Sequence, residues 1–153
     1  MRRKRRIFLL SPAHCGGERA RLLLNPNAQF ELAQRLRRPE GASIGDVFTF
    51  LSGLYFRGKM AYAGAFANPP SGVPGALVIT TNEGLRGADE PVTLARLKRF
   101  AKGDIDLSDR RYRLPLVRDA QLVAETAGKS CDVVLLGSVA SGKYVDVLVK
   151  IFG

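Results

Sequence analysis

Residues 137–144 read Gly-Ser-Val-Ala-Ser-Gly-Lys-Tyr and follow the phosphate-loop pattern G-x-x-x-x-G-K-[ST] until the last position. In such a loop the glycines let backbone N–H groups wrap phosphate oxygens, the lysine neutralises charge, and the final hydroxyl residue holds magnesium. Tyr144 is too long for that last task. Only ten residues follow Lys143, which leaves no downstream strand for a metal-holding aspartate and argues against a triphosphatase. What remains is a strand-to-helix turn whose exposed amides, with Gly137, Ser138, Ser141 and Lys143, suit an anion. A plain β-turn-α junction, with Gly137 serving packing, accounts for the same letters.

Two further segments carry groups able to do chemistry. In "SPAHCGGER" (11–19), Ser11 and the chain's single histidine, His14, precede Gly16 and Gly17. His14 suits proton transfer or a phosphate contact, and the glycine pair can form an anion nest. Cys15 sits directly beside His14, but adjacent side chains point apart, so a nucleophile pair there is weak. In "TTNEGLRGADE" (80–90), Thr81 and Asn82 offer hydrogen bonds, and Glu83 follows an apolar run. Burial at that point would raise the Glu83 pKa toward that of a working base, while a salt bridge or a helix cap is the structural alternative.

These three segments each follow a short apolar run. "RIFLLSP" (6–12), "ALVITT" (76–81) and "CDVVLLGS" (131–138) are too short for helices and are predicted strands. Between them the spacing predicts helices over 17–25, 27–38, 43–67, 93–103 and 115–128, with a last one over 141–152. Pro115 is placed at a helix start and Gly128 at its end. The four glycines of 43–67 cost helix propensity, so close approach to a neighbouring backbone is expected, with Gly53 a possible break. "VFTFLS" (47–52) is an alternative fourth strand, and 82–91 and 104–115 are expected to be irregular.

Strands that alternate with helices pair in parallel, and solid apolar runs suit strands covered on both faces. The expected fold is therefore α/β: a three-layer open sheet, mostly parallel, with helices on both faces. A basic tail (1–6) precedes a single domain (7–153). In such a sheet the carboxyl ends of the strands share one edge, where ligands bind. Ser11, His14, Gly16, Gly17, Thr81, Asn82, Glu83, Gly137, Ser138, Ser141 and Lys143 would then face one crevice, with Glu83 and His14 as the catalytic candidates. On the helix at 43–67, Tyr55, Lys59 and Tyr62 share a face, offering base stacking and phosphate pairing, or simply packing with a snorkelled lysine.

The chain has 153 residues and a formal net charge of +10, which favours an anionic partner, nucleotide or nucleic acid. Arg2, Arg3, Lys4, Arg5 and Arg6 concentrate half of that excess; the run suits a solvated tail or a nucleic-acid contact. "IFLL" is too short to be the core of a secretory signal, and no apolar run approaches the roughly 20 residues of a membrane span. The two cysteines, Cys15 and Cys131, lie far apart without metal-ligand spacing. A reducing cytoplasm, no metal and no cofactor are expected. The chain stops at "IFG" without a terminal loop, which leaves a further C-terminal piece open.

"IFLLSPAHCGGERARLLL", "LYFRGKMAYAGAFA", "LVITTNEGL" and "LLGSVASGKYVD" together resemble a poorly characterised group of small bacterial α/β proteins. More distantly the chain is similar to nucleoside deoxyribosyltransferase-like and uracil-glycosylase-like domains. That resemblance implies a nucleobase, nucleoside or nucleotide ligand and carries over no mechanism. Three functions compete: an enzyme acting on a nucleoside or nucleotide, with the N-glycosidic bond as one target; a nucleic-acid-binding module without chemistry; and a nucleotide-sensing protein.

Overall fold

Runs of branched and aromatic residues flanked by proline, glycine or asparagine become the strands of a central sheet in the computed structural model, which describes residues 4–12, 17–52, 54–137 and 144–153. In chain order the elements are β1 (Arg6–Leu10), α1 (Glu18–Leu24), α2 (Glu31–Leu36), β2 (Ala42–Ser43), α3 (Ile44–Ser52), α4 (Leu54–Phe66), β3 (Ala76–Ile79), β4 (Leu85–Gly87), β5 (Pro91–Val92), α5 (Leu94–Lys102), α6 (Arg110–Ala127), β6 (Asp132–Leu136) and α7 (Val145–Phe152). The main sheet has the order β4-β3-β1-β6, and β2 with β5 makes a small second sheet. β1 pairs in parallel with both β3 and β6, whereas β4 is an antiparallel edge strand. The fold is thus mixed α/β with a mostly parallel sheet.

Alternation along the strands divides the core in two. Phe8, Leu10 and Val78 join one cluster with Leu23, Leu36, Val47, Phe48, Phe56, Leu97 and Phe100. Ile7, Leu9, Leu77 and Ile79 join the other with Tyr112, Leu116, Ala120 and Leu148. The first set of strand side chains therefore clusters with residues of α1 to α5 and the second with residues of α6 and α7. Removing this much apolar surface from water is the main stabilising term, at ~25 cal/mol per Å².

Several expectations are corrected. The stretch 82–91 is not all loop: β4 supplies the fourth strand of the main sheet, and β5 pairs with β2. Strands of two or three residues are too short to show a hydrophobic period. "VFTFLS" is helical, within α3. The 43–67 helix is two helices on either side of position 53, which lies outside the described residues. Ser43 does cap the first, its Oγ accepting from the Asp46 N–H at 3.1 Å. The second predicted helix shortens to Glu31–Leu36, because Ala28 N–H already closes a turn onto Asn25 O. Close approach holds at Gly45, where a Cβ would lie 3.1 Å from Ala88 O, but Gly58 and Gly64 have no neighbour within 4 Å.

The largest correction concerns α6, which begins at Arg110 rather than Pro115 and keeps Pro115 inside. The Asp109 carboxylate accepts from Arg111 N–H at 2.9 Å and caps the helix. Tyr112 and Leu116, both fully buried, hold this turn on the sheet despite the backbone hydrogen bond that proline cannot donate. Among the described residues, no helix is long and apolar enough to cross a membrane.

Candidate functional site

Parallel pairing sends β1, β3 and β6 out of the sheet at one edge. Leu10 lies opposite Leu136 on one side and Val78 on the other, so Ser11 and Gly137 are next to each other as their strands end. From here the chain separates: α1 after β1 packs in the first core cluster, and α7 after β6 in the second. Adjacent parallel strands whose following helices leave to opposite faces make the crevice in which open α/β sheets bind ligands.

Ser11 is buried, with its N–H on Leu136 O at 3.0 Å. Its hydroxyl receives the Lys59 ammonium, Nζ to Oγ 2.6 Å. Lys59 is brought there by α4, which crosses β1 in the opposite direction: Asn68 bonds Arg6, Tyr62 stands edge-on to Phe8 with ring centroids 5.7 Å apart, and Lys59 meets Ser11. Burial lowers the Lys59 pKa from its ordinary value, since a desolvated ammonium is disfavoured. Its Nζ also lies 5.6 Å from the centre of the Phe56 ring. Gly137 completes the corner. A Cβ there would fall 2.6 Å from Ser11 Oγ and 3.0 Å from the Tyr144 hydroxyl, so glycine is what lets both hydroxyls come against this turn. Tyr144 is itself buried, above Tyr112, whose phenol is pushed up by burial first and by Tyr144 second.

The exit of β3 is built differently. Thr80 closes the hairpin, its Oγ1 donating to Gly84 O at 2.8 Å and accepting from Glu83 N–H. Thr81 Oγ1 donates to Phe100 O at 2.7 Å, and Asn82 Nδ2 to Arg99 O at 2.7 Å. Both side chains therefore bond carbonyls in the last turn of α5, where Phe100 O also accepts from the Gly103 N–H at 3.1 Å. Glu83 Oε1 meets Arg96 Nη2 at 2.8 Å, and the same nitrogen meets Glu90 Oε2 at 2.8 Å, with Arg86 within 3.7 Å of Glu83 and 3.6 Å of Glu90. The ion-pair alternative for Glu83 is the geometry observed. Its other oxygen, Oε2, is buried without a hydrogen-bond partner, as is Asn82 Oδ1.

The structure thus brings Ser11 and Gly137 together and turns Thr81 and Asn82 toward α5. Gly17 starts α1, where its carbonyl accepts from Arg21 N–H. His14, Cys15, Gly16, Ser138, Ser141, Lys143, Arg2 and Arg3 lie outside the described residues. Of the basic tail, Lys4 pairs with Asp132 at 3.0 Å, Arg5 donates to Pro69 O at 3.0 Å and Arg6 belongs to β1. These residues stand at the amino edge of the sheet, at the opposite end of β1 from Ser11. Among the described residues, no group of three His, Cys, Asp or Glu side chains is placed to hold a metal ion.

Lys59 and Tyr144 are the participants that motif reading passed over. The stripe Tyr55, Lys59 and Tyr62 was the available signal for Lys59, and the departure from the phosphate-loop pattern was the signal for Tyr144. Two cavities of about 630 and 970 Å³ lie elsewhere, neither lined by Ser11, Lys59, Gly137 or Tyr144. Comparison of the chain with protein-family models, with curated proteins and with solved structures finds no match.

Proposed function

We propose that the corner between β1 and β6 binds a nucleoside or nucleotide and that the protein is a nucleoside- or nucleotide-processing enzyme. The observation that carries this reading is the Lys59 ammonium, desolvated and 2.6 Å from Ser11 Oγ, at the crevice of a mostly parallel sheet. A part-buried cation there gains an opposite charge when a phosphate arrives, and the Ser11 hydroxyl beside it is suited to phosphate or ribose oxygens. The net charge of +10 favours the same class of ligand. With helices on both faces of the sheet, we take the architecture as three layers, in which this edge is the usual ligand site. Glu83, paired with Arg96 and with Oε2 buried, belongs to the ion-pair network at the β3 exit and is assigned no step at this corner. A non-catalytic nucleic-acid module is the alternative favoured by the charge; its binding would fall steeply with salt.

Thermal unfolding against nucleobases, nucleosides and mono- to triphosphates tests the proposal. A ligand of the native state at 100 times its Kd adds about 2.7 kcal/mol of apparent stability. We expect nucleoside phosphates to raise Tm and Lys59→Ala to abolish that rise. No shift with any member of the panel would refute the nucleotide reading.

A further inference from the structure

The stripe on α4 does not do one job along its length. Tyr62, half exposed, packs edge-on to Phe8 and 4.6 Å from the Phe66 ring. Lys59, one turn nearer the helix start, reaches Ser11 as β1 ends. Tyr55 lies one turn further still. Because α4 runs opposite to β1, that turn carries it about 6 Å past Lys59, beyond the end of the strand. Helical side chains lean toward the helix N-terminus, which at α4 is the outward direction. Tyr55 is 85% exposed, the most exposed large apolar or aromatic side chain among the described residues.

We propose that Tyr55 is the stacking platform for the base of the bound nucleotide, with Lys59 facing its phosphate; the assignment rests on the nucleotide reading above. An aromatic ring presented to water beside a cation fits a ligand that is flat and apolar at one end and anionic at the other. Stacking on a phenol face tolerates any base, so the ligand class is nucleoside monophosphates in general rather than one purine or pyrimidine.

Titration of the full chain with AMP, GMP, CMP, UMP and ribose 5-phosphate tests this. We expect Tyr55→Ala to weaken all four nucleotides by about tenfold, the ordinary loss for one base on one aromatic ring, with ribose 5-phosphate unaffected. Tyr55→Phe should retain binding. The chain has no tryptophan, so Tyr55→Trp provides a single tryptophan, excited apart from the remaining tyrosines, whose emission AMP should quench and ribose 5-phosphate should not. If Tyr55→Ala binds AMP as tightly as the parent and Tyr55→Trp is unquenched, the base lies elsewhere and the nucleotide reading stands without the platform. Equal weakening of ribose 5-phosphate would reduce Tyr55 to a support for the site. Failure of every nucleotide to bind the parent chain overturns both assignments.

Discussion

β1 and β3 are neighbours in one sheet and end at the same edge, yet their exits are built for different purposes. At the end of β3 each polar group of Thr80 and Thr81 is spent on the chain's own backbone, and Glu83 is locked between arginines. At the end of β1 a buried serine meets a lysine whose ammonium burial disfavours. The same residue types, hydroxyls and charges after an apolar run, thus pair with the backbone and with opposite charges in one place and join a neutral hydroxyl to a part-buried ammonium in the other. A polar residue at a strand end is informative only once its partner is known.

Three substitutions sharpen that contrast. Gly84→Ala should have the largest effect. Gly84 sits at φ +68°, and an added Cβ would run into the Asp119 carboxylate and lie 2.7 Å from Pro115 O. Left-handed strain plus the collision should cost roughly 3 kcal/mol or more in urea unfolding. Thr81→Val comes next. It keeps the shape but removes one of the two donors to Phe100 O, the other being the Gly103 N–H, and should cost about 1 kcal/mol with no loss of nucleotide binding. A loss of binding equal to that from Lys59→Ala would show that the β3 exit belongs to the site.

Lys59→Met should have the smallest effect and the opposite sign. The folded state holds the Lys59 pKa below its ordinary value, so between the two values the unfolded chain binds more protons. Native stability contributed by this group is full above pH 10.5 and is lost as pH falls through the lowered folded value. Near neutral pH the parent therefore carries a penalty that methionine removes, and Tm should rise by less than about 4 °C while nucleotide response disappears. A fall in Tm would mean that the Ser11 contact outweighs desolvation and is structural.

Much of the fold was legible because parallel strands announce themselves as unbroken apolar runs: "IFLL", "ALVI" and "VVLL" became β1, β3 and the half-buried edge strand β6. Capping was legible where the cap residue stands at the start of a periodic stretch, as at Thr93, which accepts from Arg96 N–H. It misled at α6, where proline's preference for a first helical turn outweighed Asp109, the cap six residues before Pro115. β4 and β5 were invisible because their existence depends on partners remote in sequence. The Ser11–Lys59 contact spans 48 positions and follows from how α4 crosses β1. Glu83 was visible as a carboxylate after a strand, but not Arg96 opposite it, which comes from the next helix.

The placement of Lys4 and Arg5 at the amino edge has a consequence for how charge is used. β1 spans five residues, about 17 Å at 3.3 Å per residue, which is about twice the screening distance of ~8 Å at physiological ionic strength. A cation at one pole of the sheet is therefore electrically almost silent at the other. The charges of Lys4 and Arg5 thus contribute little to the field at Ser11.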